Sequence, residues 1–221
     1  MTSFAILGAI LFAIGIGAMS PGPSFVLVSR ISVAHSRLHG IATAIGMGLG
    51  GALFAVLALA GLVALLQQVD WLYLALKCAG GLYLVYLGIV IWRGASEPLA
   101  MTTDGATDAV NEGSGKQLSP LRAMLVAFAT QISNPKTAVV YASIFAALMP
   151  QAPPTAVLIA LPPLVFVVEA GWYLIVALAF SAHRSQRAYL KWKVWVDRLA
   201  GAVIGALGIR LIGESIAAFR R

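Results

Sequence analysis

Six stretches of this chain run for about twenty residues or more with almost no charge, over roughly 4–29, 40–66, 71–92, 121–149, 155–181 and 195–218. About 20 apolar residues in helical form cross the hydrocarbon core of a bilayer. Backbone in lipid has to satisfy its own N–H and C=O groups, so only helices and closed barrels span. A barrel needs segments of about ten residues with alternating polarity, whereas these runs are apolar on every side. The expected fold is therefore an all-α integral membrane protein with six transmembrane helices. Composition excludes the soluble alternative: of 221 residues, 60% are hydrophobic and 10% charged, against about 25% charged in soluble domains. Several runs exceed the minimum length, so tilt, kinks or interfacial ends are expected.

The first run could be confused with a secretory signal. It lacks a basic leading segment, however, and the apolar pattern resumes at Phe25, so it is read as an uncleaved span. The single cysteine, Cys78, sits inside an apolar run. It allows neither an internal disulfide nor a cysteine-rich metal site, and packing is its expected role.

Between the third and fourth runs lies GASEPLAMTTDGATDAVNEGSGKQLS, polar and without apolar period. It is read as a flexible linker outside the membrane. It divides the chain into a first three-helix repeat (1–93), the linker (94–120) and a second three-helix repeat (121–221). The net charge is +7, and its placement is informative. Arg30 and Arg37 follow span one. Arg93, Lys116 and Arg122 flank the linker. Arg184, Arg187, Lys191, Lys193 and Arg198 crowd the segment after span five, read as a loop. The opposite side has Lys77 nearby and the terminal Arg220 and Arg221. The positive-inside rule puts the basic loops and linker in the cytoplasm and both termini outside. Tyr189, Trp192 and Trp195 beside the last basic segment read as an interfacial anchor, in preference to a nucleic-acid site.

Two spans contain their own helix breakers. Span one carries Pro21, Gly22 and Pro23, and span four carries Asn134, Pro135 and Lys136. Proline removes a donor and clashes with the carbonyl one turn back. Each half has an odd number of spans, so the two broken helices enter the membrane from opposite sides, as inverted repeats require. Freed backbone groups cost several kcal/mol each in lipid unless protein or a wet cavity satisfies them. Half-helix N-termini suit a carboxylate, and half-helix C-termini suit an ammonium. The breaks are expected to face each other near the midplane around a zwitterionic solute; simple kinks re-satisfied by neighbouring helices are the alternative.

Lys136, mid-span, carries an insertion cost of about 2.5–3.5 kcal/mol and should face the interior. It would bind a substrate carboxylate or pair with an acid, or else bond a backbone carbonyl or snorkel. Glu169, alone in apolar span five, is the candidate partner. Ionising a lone carboxylate there is expensive, which makes it a candidate proton carrier; a fixed Lys136–Glu169 pair is the structural alternative. Ser20, Ser24, Gln131, Ser133 and Tyr141 are candidate cavity residues. Glu214 lies near an end of span six, within reach of water. Gly46, Gly48, Gly50 and Gly51 in span two, and Gly201, Gly205 and Gly208 in span six, read as close-packing positions.

These features resemble the LysE family of amino-acid exporters, which includes the homoserine/threonine and lysine efflux proteins. The likeness rests on SPGPSF in span one, GMGLGGALFAVLALAGLVALL in span two and LKCAGGLYLVYLGIVIWRG in span three. QISNPKTAVVYASIFAAL in span four and DRLAGAVIGALGIRLI in span six complete it. The resemblance implies a bacterial inner-membrane exporter of amino acids or related small compounds, driven by an ion gradient. It carries the two proline motifs onto Pro21, Gly22, Pro23 and onto Asn134, Pro135, Lys136. Many members place an aspartate where this chain has Gly51, and Glu169 is the candidate replacement.

The functional expectation is a secondary exporter working by alternating access. Substrate binding falls to Pro21, Gly22, Pro23, Ser24, Gln131, Asn134, Pro135, Lys136 and Tyr141, and ion coupling to Glu169 and Lys136, with a proton as the ion. The partners are an amino-acid substrate, that ion and the lipid bilayer; a homodimer is left open. No cofactor, metal or nucleic acid is called for. A cation or heavy-metal exporter on the same scaffold is the alternative, though one cysteine and few intramembrane carboxylates suit such ions poorly. An intramembrane enzyme ranks below both: His35, His39 and His183 lie in or near loops, and neither HExxH nor GxSxG occurs.

Overall fold

The computed structural model describes residues 3–19, 22–66, 70–96, 118–150, 152–181 and 183–219. Among them are eight helices and no strands: α1 (Ser3–Met19), α2 (Pro23–Ala34), α3 (Arg37–Leu66), α4 (Asp70–Gly94), α5 (Pro120–Ile132), α6 (Pro135–Leu148), α7 (Thr155–Phe180) and α8 (His183–Phe219). Three of them, α3, α7 and α8, are long and apolar enough to cross a membrane. The α1–α2 pair, its two axes differing by 61°, passes the same test when taken together, as a broken span or a re-entrant loop. The shorter α5 and α6 are apolar too. Ser20 and Pro21, most of the linker, Lys116, Arg220 and Arg221 lie outside the described residues.

Both expected breaks occur, and the same chemistry makes them. Pro23 and Pro135 each begin a helix instead of bending one. A proline at the first helical position loses nothing, because that N–H has no partner within the helix. The residues before them are extended: Gly22 (φ −157°, ψ −173°) and Asn134 (φ −81°, ψ 106°). Asn134 also caps α6, its Oδ1 accepting from the Lys136 N–H at 3.0 Å. The pair Pro162–Pro163, by contrast, lies inside α7. Leucine precedes it, so no capping side chain is present to start a new helix there.

One expectation fails. The basic segment after span five is helix: α8 runs unbroken from His183. Lys193, Asp197, Ala200, Ile204, Leu211 and Ser215 recur at helical spacing and are all buried, so the apolar face of the span extends back through the charged stretch. Lys193, expected as a cytoplasmic loop cation, is instead buried against Asp197 (2.8 Å). The side chains of Arg184, Arg187 and Tyr189 are outside the description, while Trp192 and Trp195 are exposed on α8. Arg30, Arg37, Arg93 and Arg122 likewise lie within helices near their ends, not in loops.

Glycines allow the helices to approach. On the α4–α8 seam, a Cβ built on Gly88 would fall 2.6 Å from the Gly201 carbonyl oxygen, and one on Gly81 would fall 3.0 Å from that of Gly208. Contacts this close between helices need small residues. The seam is tied at one end by Lys77–Glu214 (2.8 Å) and at the other by Lys193 Nζ donating to the Ala95 carbonyl (3.2 Å). On α3, Gly48 sits against Ala170 and Phe166 of α7. Two apolar cores result. One gathers α1, α3, α4, α6, α7 and α8 around Ile10, Leu84, Phe145 and Leu161. The other gathers α2, α3, α5 and α7 around Phe25, Met47 and Phe180. Cys78 is half-buried in α4.

Candidate functional site

The two breaks meet. Ser24, in the first turn of α2, donates to Gln131 Oε1 at 2.6 Å and accepts from Asn134 Nδ2 at 3.2 Å. Side chains more than 100 residues apart thus join the first break to the second. From Gln131 the network continues to α7, where Gln131 Nε2 donates to Glu169 Oε2 at 2.6 Å. Tyr141 of α6 donates to Glu169 Oε1 at 2.9 Å. The side chains of the network are nearly sealed, Gln131 at 1%, Tyr141 at 2% and Glu169 at 3% exposure.

Each member arrives there through its helix. Val157, Leu161, Val165, Glu169, Tyr173, Val176 and Phe180 form the buried stripe of α7 at spacings of three and four. A carboxylate written into that stripe has to point into the protein. Gln131 ends α5 on its buried face, and Tyr141 lies between the buried Val140 and Ile144 of α6. Facing them on α3 are two glycines. A Cβ on Gly50 would meet Gln131 Cβ at 2.6 Å, and one on Gly51 would meet Glu169 Oε2 at 2.6 Å and Tyr141 OH at 2.9 Å. The carboxyl of Glu169 therefore occupies the space that a side chain at position 51 would fill.

A cavity of about 30 Å³ opens beside this network. Its polar wall includes Gly22, Ser24, Asn134, Lys136, Tyr141 and Glu169, so the first turns of both α2 and α6 face it. Its apolar wall comes from α1, through Ile14, Gly17 and Ala18. Sites that hold small ligands measure roughly 300–1,000 Å³. The space here is on the scale of a few waters.

Both Glu169 oxygens accept from Gln131 and Tyr141, and the fixed Lys136–Glu169 pair, the structural alternative, is not among the ion pairs of the described residues. The two residues share the cavity instead. Of the expected substrate contacts, Gly22, Ser24, Gln131, Asn134, Lys136 and Tyr141 all line the cavity. Pro23 and Pro135 start the helices that bring them there, and Pro21 lies outside the described residues. Ser133 is exposed and serves as the end of α5. Glu214 is partly exposed and pairs with Lys77 and Arg210. Sequence reasoning missed Tyr173, which lines the cavity. Its position four residues after Glu169, one helical turn away, was the available signal. Among the described residues, no group of three or more His, Cys, Asp or Glu side chains could hold a metal ion.

Apolar helices interrupted around a shared cavity with a polar wall define a class, the membrane translocators. More narrowly, the chain belongs to the LysE family: the family model described as LysE type translocator matches residues 15–215. The threonine efflux protein of Escherichia coli (strain K12) is 30% identical over 197 residues, covering 89% of this chain and 92% of that protein. The threonine efflux protein of Salmonella typhimurium is 29% identical over 198 residues, covering 89% and 92%. The leucine efflux protein of Klebsiella pneumoniae is 30% identical over 128 residues, 57% of this chain and 54% of that protein. No solved structure matches. This is a multi-pass membrane protein of a bacterial family of transporters, and not an enzyme.

Proposed function

We propose that this protein exports an amino acid from the bacterial cytoplasm by alternating access, coupled to a proton. The observation that carries this reading is that both helix breaks open onto one cavity holding a cation, Lys136, and a carboxyl, Glu169. A zwitterion needs both. The first turns of α2 and α6 present N–H groups and positive dipole ends, which together with Lys136 suit a carboxylate. Glu169 suits the ammonium and, when the substrate leaves, a proton. The efflux relatives named above support an amino acid as cargo.

The cavity's size supports alternating access. A cavity of about 30 Å³ has to widen before it admits an amino acid. Six spans arranged as two inverted repeats, 1–93 and 121–221 joined by a cytoplasmic linker at 94–120, provide the moving halves. Part of the contact pattern supports such a repeat by surviving exchange of the halves, whereas α4–α6, α1–α8 and α2–α3 have no counterpart of similar extent among the described residues. α3 meets α7 and α4 meets α8; α1–α6 is mirrored by α2–α5, and α2–α7 by α3–α6. The positive-inside rule then leaves both termini in the periplasm of an inner-membrane protein.

The experiment is a counterflow screen in proteoliposomes, with labelled amino acids offered to vesicles loaded with the unlabelled compound. Accumulation of one or a few small neutral amino acids is expected. A screen in which none exchanges, with the protein demonstrably inserted, refutes the reading.

A further inference from the structure

Gly17 has no use in the packing of α1. Glycine is a poorer helix former than alanine, and at several glycines of this molecule close contact is the reason for it. At Gly50, Gly51 and Gly88 a Cβ would collide with a neighbouring helix. At Gly17 it would meet one described atom beyond its own helix, Val140 Cγ1, at 3.5 Å, an ordinary van der Waals contact. Gly17 lies within the regular helix α1, and its φ is outside the left-handed region that favours glycine. Neither crowding nor backbone conformation calls for it.

What Gly17 faces is the cavity, and so does Val140. A side chain at position 17 would take up part of that space. Ile14, one turn back on α1, and Ala18 belong to the same wall. Lys136 and Glu169 line the cavity as well. An amino acid whose carboxylate and ammonium engage those two groups presents its side chain to the apolar wall that remains.

We infer that the wall formed by Ile14, Gly17, Ala18 and Val140 receives the side chain of the cargo, and that Gly17 sets how large that side chain can be. The cargo is then an amino acid with a short, uncharged side chain. With Lys136 and Glu169 engaged by the head groups, a charged side chain against these four residues has no partner, which is expensive. A long one needs the room that Ile14 and Val140 occupy. The inference rests on the reading of the cavity as an amino-acid site.

The test is counterflow in proteoliposomes with labelled L-alanine, L-threonine, L-leucine, L-lysine and L-glutamate. It compares wild type, Gly17→Ala, Val140→Ala and the double variant Gly17→Ala with Val140→Ala. Wild type should exchange neutral cargo and refuse lysine and glutamate. Gly17→Ala should lower threonine and leucine exchange relative to alanine by about tenfold, the scale on which an apolar pocket reads one carbon. Val140→Ala should shift the ratio the other way, and the double variant should bring it back toward wild type. The added methyl makes only an ordinary contact, and alanine favours the helix, so the unfolding midpoint of Gly17→Ala in micelles should not fall. A lowered midpoint assigns Gly17 to packing and overturns the inference. So does a loss equal for all cargoes, an unchanged ratio, or exchange of lysine or glutamate by wild type; each of these leaves amino-acid transport standing. A wild-type protein that exchanges no amino acid at all overturns the proposed function, and the role of Gly17 with it.

Discussion

Adding one methyl group at Gly51 should disable the carboxyl network without replacing any polar side chain. An alanine Cβ there would lie 2.6 Å from Glu169 Oε2, 2.8 Å from its Cδ and 2.9 Å from Tyr141 OH. None of these distances accommodates a carbon, so Glu169 has to withdraw, and it cannot withdraw without lengthening its bonds from Gln131 and Tyr141. Overpacking of this kind costs about 1–3 kcal/mol. Leaving one buried polar partner unmet adds about 1–3 kcal/mol. Gly51→Ala should therefore lower unfolding stability in mixed micelles by about 2–6 kcal/mol, the sum of the two terms, and stop transport. The decisive measurement is a double-mutant cycle with Glu169→Ala, which empties the space. In that background Gly51→Ala should cost far less, with a coupling energy of about 0.5–3 kcal/mol, as contacting residues show. If Gly51→Ala is equally costly with and without the Glu169 side chain, position 51 is not the seat of that carboxyl.

Three further outcomes are expected. Lys136→Ala should cut efflux about ten- to a hundredfold, the worth of one hydrogen bond to a charge, with normal membrane insertion; efflux at the wild-type rate removes Lys136 from the binding site. Glu169→Gln should retain downhill efflux in proteoliposomes while abolishing its acceleration by an imposed pH gradient, and a persisting response assigns coupling elsewhere. Gly88→Ala drives a Cβ to 2.6 Å from the Gly201 carbonyl and 2.8 Å from Gly205 Cα. Backbone cannot rotate aside, so stability should fall by about 1–3 kcal/mol or more with substrate preference unchanged; an unaffected unfolding midpoint contradicts the seam.

The positions of the breaks were legible because proline and its neighbours dictate them locally. Gly22–Pro23 and Asn134–Pro135 each pair an extended, cap-capable residue with a helix-starting proline. Leu161–Pro162–Pro163 lacks the capping residue, and α7 runs through it. The polar cavity residues were legible as well, since Ser24, Gln131, Tyr141 and Glu169 stand out in apolar runs. Their partners were not. That Glu169 meets Gln131 and Tyr141, and not Lys136, depends on how helices distant in sequence pack. Asp197 was hidden differently. It lies amid five basic residues, and the charge of that stretch masked a helical period that carries Lys193 and Asp197 onto the buried face of α8. Composition read the stretch as water-facing, whereas periodicity would have read it as an extension of the span.

The fastened seam between α4 and α8 bears on where this molecule can bend. Glycine backbones abut along it, and an ion pair clasps one end while a lysine hooked on a carbonyl clasps the other. Two helices locked in this way move as a single plank. In the proposed cycle the hinges are then the short rods α1, α2, α5 and α6, the last three led by proline, which would swing against that plank as shutters do against a fixed frame.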